Sequence, residues 1–184
     1  GYNDIVAGAP HSSTYGSYFG EGFIFWGSAD YINVDSTEDA GVNFAGVSEA
    51  SYFGLTADVG DFNGDSHLDV VFTAPYAESN QGRIYIYYGD GTRNWDTTPD
   101  VTLAAGAAYL GISYSLQIGD INGDGYPDIY MCNIFGEKLV SPCFYMNNVS
   151  GIFAADTSRI PGEITMFQKK YTASALIDVD KDGD

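Results

Sequence analysis

Basic residues are scarce in this chain: 7 Lys and Arg stand against 25 Asp and Glu, for a formal net charge of −18 over 184 residues. So negative a body repels phosphates, which argues against nucleic acid and anionic membrane surfaces as partners. No run of 18 apolar residues occurs, so no segment is expected to insert into a membrane as a helix. The opening residues, Gly1 to Pro10, lack the basic and apolar regions of a signal peptide. Cysteine is limited to Cys132 and Cys143, too few by count for a disulfide framework. Also missing are an Arg-Gly-Asp triplet, a Ser-centred nucleophile elbow, a glycine-rich phosphate loop, and any amphipathic helical period sustained over twelve residues. His11 and His67 have no partner at metal or triad spacing and read as surface or backbone-donating positions.

What is present points to a folded β protein. Aromatics make up 15% of the chain, with 15 Tyr and 11 Phe, which an acidic disordered tail would not carry. The 23 glycines favour strands joined by tight turns. At this length the chain can enclose one sizeable core.

Internal repetition organises the sequence. Gly60-Asp61-Phe62-Asn63-Gly64-Asp65-Ser66-His67-Leu68-Asp69-Val70-Val71 aligns without gaps on Gly119-Asp120-Ile121-Asn122-Gly123-Asp124-Gly125-Tyr126-Pro127-Asp128-Ile129-Tyr130. A third copy starts at Asp178 and runs through Asp180, Asp182 and Asp184; the three loop starts are 59 and 58 residues apart. Gly1-Tyr2-Asn3-Asp4-Ile5-Val6 reads as the tail of a fourth copy, with Asp4 in the place of Asp69. The chain is therefore expected to open in one loop and close in another, as a segment of a larger protein. Approximate repeats span 1–51, 52–108, 109–170 and 171–184, within one partial domain. Around the loops, Gly22-Phe23-Ile24-Phe25-Trp26-Gly27 and Gly82-Arg83-Ile84-Tyr85-Ile86-Tyr87-Tyr88-Gly89 are aromatic and β-branched runs bounded by Gly, the signature of strands covered on both faces. Each repeat reads strand, acidic loop, strand, turn, strand and a less regular fourth segment. The expected unit is a four-stranded antiparallel sheet that must stack on its neighbours.

The loops carry the chemistry. Positions 1, 3, 5 and 9 hold Asp61, Asn63, Asp65 and Asp69 in one copy, and Asp120, Asn122, Asp124 and Asp128 in the other. Alternate spacing lets a tightly turning backbone aim oxygens inward, with main-chain carbonyls of His67 and Tyr126 at position 7. Gly64, Gly123 and Gly125 permit the turn. Crowded carboxylates repel unless a cation sits among them, and an all-oxygen set without Cys or His side chains indicates Ca²⁺ over Zn²⁺ or Mg²⁺. An EF-hand would need Glu at position 12, where Phe72 and Met131 stand, and flanking helices. Asn-Gly and Asp-Gly also form plain β-turns, but repetition with the final Asp kept favours metal. Eleven of the 25 acidic residues fall in the four loop copies.

The order Phe53-Gly54, then Asp61-x-Asn63-x-Asp65-x-x-x-Asp69, then Thr73-Ala74-Pro75 resembles the FG-GAP repeat of integrin α-subunits and related extracellular proteins; Gly8-Ala9-Pro10 repeats the last element. The next repeat departs, with Leu110-Gly111 and Cys132-Asn133, and its Phe144 to Phe153 stretch is more similar to VCBS repeats. The resemblance implies an all-β fold, a β-propeller commonly of seven blades, of which this chain holds about three. Seven units of this length need about 400 residues, so the remaining blades are expected from further chain. It also implies calcium loops on one face and an extracellular or cell-surface role in adhesion, protein–protein binding or surface assembly, without catalysis. The ligand would be a protein or a glycan. The alternative is an accessory or carbohydrate-binding region of a secreted carbohydrate-active enzyme or lectin, for which Trp95, in a polar loop, is the sugar-stacking candidate, although packing is the favoured reading for it; Trp26 is expected to pack between blades. Cys132 and Cys143 flank a turn and could pair or remain separate thiols. Asn148-Val149-Ser150 fits a glycosylation sequon.

Overall fold

The computed structural model describes residues 2–29, 36–104, 115–132, 143–148 and 151–156. Among these residues eleven strands form three antiparallel sheets, each a simple meander. Sheet 1 has the order β1 (Ile5–Ala9), β2 (Glu21–Phe25), β3 (Val42–Ala45). In sheet 2, β4 (Ala57–Gly60), β5 (Asp69–Ala74), β6 (Arg83–Tyr87) and β7 (Val101–Ala104) follow in sequence. Sheet 3 repeats that plan with β8 (Ser115–Gly119), β9 (Asp128–Cys132), β10 (Cys143–Asn147) and β11 (Phe153–Asp156). The four-strand unit read from the sequence is thus complete twice, and sheet 1 starts from its second strand. Equivalent registers, Gly60 opposite Asp69 and Gly119 opposite Asp128, place the two acidic loops at the same hairpin.

Alternation in sheet 2 explains why its central strands read as continuous apolar runs. Every residue of β5 and of β6 is buried. Val70, Phe72, Tyr85 and Tyr87 join Ile24, Val42, Phe44 and Phe53 in a core against sheet 1. The intervening Val71, Ile84 and Ile86 join Phe62, Leu116, Ile129, Met131 and Tyr145 in a core against sheet 3. A strand with period-two side chains and a sheet on each side needs apolar groups at both parities. Each large side chain fully buried this way stabilises the fold by about 1.5–3 kcal/mol before entropy is counted. Trp26 packs against the first core as expected, beneath the Arg93 guanidinium at 5.2 Å.

The two glycines of the repeat motif meet across the first interface. A Cβ on Gly8 of β1 would lie 1.9 Å from the Gly54 carbonyl oxygen, so the backbones touch where the Phe53-Gly54 corner crosses β1. A parallel bridge between Gly20 and Phe53 continues this contact. The register pairs Cys143 with Met131 and Cys132 with Ser115; the side chains of both cysteines, and so the disulfide question, lie outside the described residues.

Candidate functional site: the acidic loops

Residues 61–69 and 120–128 adopt the same loop bond for bond. Asp61 Oδ1 accepts from the main-chain N–H groups of Gly64 (2.8 Å) and Asp65 (3.1 Å), and its Oδ2 from Ser66 (2.8 Å). Asp120 accepts from Gly123, Asp124 and Gly125 at 2.8, 3.1 and 2.8 Å. Asn63 Oδ1 accepts from Asp65 N–H at 3.0 Å while its Nδ2 donates to Asp65 Oδ2 at 2.9 Å. Asn122 does the same with Asp124, at 2.8 and 2.9 Å. Asp65 and Asp124 then accept from the N–H groups of His67 (2.8 Å) and Tyr126 (3.0 Å). Turning the chain this tightly requires positive φ, and Gly64 and Gly123 supply it at +77° and +76°.

The ninth position does something the spacing did not disclose. Asp69 is fully buried; its Oδ2 accepts from Phe62 N–H (2.7 Å) and its Oδ1 from Gly89 N–H (3.0 Å), stapling the loop start to the chain just beyond β6. Asp128 repeats this with Ile121 (2.9 Å) and Asn147 (2.7 Å). Asp4, though exposed, accepts from Gly27 N–H at 2.7 Å, the same link in sheet 1. Burial pushes the Asp69 carboxyl up to about 6 despite the main-chain N–H groups of Gly89, Phe62 and Asn63 that oppose it, and the charge of Asp65 adds to the effect. Burial also raises Asp128, helped by Asp124 and Asp120. Asp65 moves the other way, held below the ordinary carboxylate range first by the His67 N–H, then by Asn63.

The donors of each loop are carboxylate, amide and carbonyl oxygens, which suit a hard cation in kind and number. Their present arrangement is drawn onto the backbone: among the described residues no three acidic or imidazole side chains converge as a metal-holding group. Asp178, Asp180, Asp182 and Asp184 lie outside the described residues.

Other sequence candidates resolve as packing. Trp95 meets Phe44 edge-on at 6.0 Å beside the first core and is no free loop platform. Its indole Nε1 is buried and, among the described residues, finds no acceptor. With Trp26, Tyr2 and Asp69 it lines an open pocket of about 480 Å³ between sheets 1 and 2. His67 Nδ1 sits 3.2 Å from Asp65. At the other end of β1, His11 lies edge-on to Tyr18 and Tyr52, whose rings stack at 5.3 Å with both residues at positive φ. Bulky residues rarely hold that conformation, and no local sequence signal marks it.

Asn147 is the residue that sequence reasoning missed. It occupies the place of Gly27 and Gly89, where a Cβ would come within 2.3 Å of the carbonyl oxygens of Asn3 and Leu68. Its buried amide reaches the main chain of the neighbouring loop, donating to the Phe62 carbonyl at 2.8 Å. Its only sequence signal is an Asn where the two preceding repeats have Gly.

A model of the FG-GAP-like repeat matches residues 61–131, which contain both complete loops. The chain is 29% identical over 158 residues to phosphatidylinositol-glycan-specific phospholipase D of Bos taurus, covering 79% of this chain and 19% of that protein. It is 30% identical over 145 residues to integrin alpha-7 of Rattus norvegicus, covering 76% of this chain and 12% of that one. Against integrin alpha-V of Gallus gallus it is 40% identical over 81 residues, 44% of this chain and 7% of the relative. It therefore spans about a fifth or less of these relatives' lengths. Loop, strand order and interlocking glycines agree with these matches: the chain is an FG-GAP repeat protein, related over this span to the repeat regions of phosphatidylinositol-glycan-specific phospholipase D and of integrin α subunits.

Proposed function

We propose that this chain is a calcium-binding, non-catalytic portion of an extracellular β-propeller that presents its surface to a protein or glycan partner in adhesion or assembly. The observation that carries the calcium reading is the bond-for-bond identity of loops 61–69 and 120–128, each displaying Asp, Asn and Asp oxygens at alternate positions. Two loops with the same geometry, 59 residues apart, suit repeated structural ion sites better than one asymmetric catalytic centre. A cation would draw Asp61, Asn63 and Asp65, and likewise Asp120, Asn122 and Asp124, around itself with the carbonyls of His67 and Tyr126, and would offset part of the −18 charge. Similarity to integrin α subunits supports the adhesion reading, and the stacked sheets support blades of a propeller whose remainder lies in further chain. Asn148, exposed beside β11, suits glycosylation in that setting.

The test is thermal unfolding in EDTA against increasing CaCl₂, with MgCl₂ as control. Extracellular calcium modules bind with Kd of roughly 10⁻⁴–10⁻³ M, so 10 mM calcium should add about 1.4–2.7 kcal/mol per site. Curves that coincide in EDTA and in 10 mM calcium would refute the reading.

A further inference from the structure

We propose that Asn147 couples the two complete acidic loops, so that a divalent cation ordering one loop raises the affinity of the other. This rests on the calcium reading above. Asn147 touches both loops at once. On its own sheet, its N–H donates to Asp128 Oδ1 at 2.7 Å and its Nδ2 approaches the Pro127 carbonyl at 3.4 Å. Across the interface the same Nδ2 donates at 2.8 Å to the carbonyl of Phe62, the residue between Asp61 and Asn63. Its Oδ1 accepts from Gly151 N–H at 3.1 Å, which fixes the amide's orientation. Asn147 and Phe62 are both fully buried, so across the interface neither the donor nor the carbonyl has water as a substitute partner.

The Phe62 peptide is well placed to transmit strain. Its N–H is held by Asp69, its carbonyl by Asn147, and its ring is buried in the core between sheets 2 and 3, 5.8 Å from Phe153. A second contact runs alongside: the Tyr126 ring of one loop lies against Gly64 of the other, where an added Cβ would be 2.7 Å from its Cε1. Ordering loop 120–128 therefore prepays part of the conformational cost of ordering loop 61–69, and linkage makes the effect reciprocal. Gly27 and Gly89 have no side chain to form this link, which makes it a property of the interface between sheets 2 and 3.

The experiment is a calcium titration of the full chain, followed by amide hydrogen exchange resolved over residues 61–69 and 120–128. Disabling the second loop with Asp120→Asn and Asp124→Asn should raise the calcium needed to protect 61–69 about five-fold or more, the lower end of typical coupling. In an Asn147→Gly background, which restores the residue of the other repeats, that shift should vanish. Should Asn147→Gly not fold, Tyr126→Leu, which strips the exposed-side contact alone, should reduce the shift measurably. Equal midpoints with and without the second loop would overturn the coupling while leaving calcium binding intact. A shift undiminished in whichever variants fold would overturn the role given to this contact. No calcium-dependent protection of either loop would remove the calcium reading and the coupling together.

Discussion

Replacing Gly8 by Ala tests whether the motif glycines exist to let two sheets touch. The added Cβ would sit 1.9 Å from the Gly54 carbonyl oxygen, 2.7 Å from its carbon and 2.9 Å from its Cα. Approaches under 3.0 Å are essentially never observed, so the two backbones must part by about 1.1 Å at that point. No flexible side chain is available to yield, because every clashing atom is main chain. Parting them loosens a core that includes Ile24, Phe44, Phe53, Phe72 and Tyr87. Forced repacking of this kind costs about 1–3 kcal/mol and exceeds that when backbone must move; about 3–5 kcal/mol is expected here. Gly123→Ala is the matched control, since its φ of +76° imposes strain but nothing among the described residues lies within 4 Å of the new Cβ. That variant should cost about 1–2 kcal/mol, the left-handed penalty alone. Urea unfolding followed by the fluorescence of Trp26 and Trp95, both beside the threatened core, reads the difference. If Gly8→Ala proves no more destabilising than Gly123→Ala, the contact is not what keeps Gly8 a glycine.

Glu21 offers a pH test away from the loops. Its buried carboxylate accepts hydrogen bonds from Ser12, Asn43 (2.9 Å) and Thr14 (2.8 Å). Burial alone would raise its pKa, but these donors together hold it below the ordinary value of 4.5. A lowered folded-state pKa contributes stability that is present above the unfolded value and lost as pH falls through the folded one. Glu21→Gln should therefore cost about 1–3 kcal/mol near neutrality and flatten the acid limb between pH 5 and 3; an acid limb identical to that of the native chain would contradict this. Phe62→Ala removes a fully buried ring from the core of sheets 2 and 3. It should cost about 3–5 kcal/mol in chemical denaturation and raise exchange at Gly64 and Ser66, whereas exchange confined to the core strands would show the loop is not anchored through this ring.

Much of this arrangement was legible in the sequence because its causes are local. Alternate Asp and Asn with Gly between them call for a tight turn, and the register of Gly60 with Asp69 and of Gly119 with Asp128 closes that turn at the same place in both repeats. The apolar runs at Val70 to Phe72 and Ile84 to Tyr87 announced strands covered on both faces. Less legible were features whose partner is distant in the chain. Asp69 reads as a fourth loop ligand, but nothing local shows that its carboxylate also accepts from the N–H of Gly89, 20 residues on. Asn147 looks like an ordinary strand end until Phe62, 85 residues earlier, is placed beside it. Trp95, in a polar stretch, reads as packed or sugar-stacking, and nothing nearby reveals that its packing partner is Phe44 of another sheet.

The acidic motif therefore divides into two devices with different energetics. Asp69 and Asp128 tie loop to strand by accepting from main-chain N–H groups at the loop start and at or just past the end of the next strand. Asp61, Asn63 and Asp65 lie in the turn itself, with Asp65 exposed to water and its oxygens held by the Asn63 amide and by the main-chain N–H and ring of His67. Removing calcium should leave the first device in place and release the second. The sheets and their two cores would persist, because buried apolar area and strand ladders hold them. Chelation should then act as a loss of loop protection with a shift of a few kcal/mol, not as the collapse seen where a metal supplies most of the folding energy. A chain that unfolds outright in EDTA at room temperature would show that the staple does not work alone and that the two devices are one.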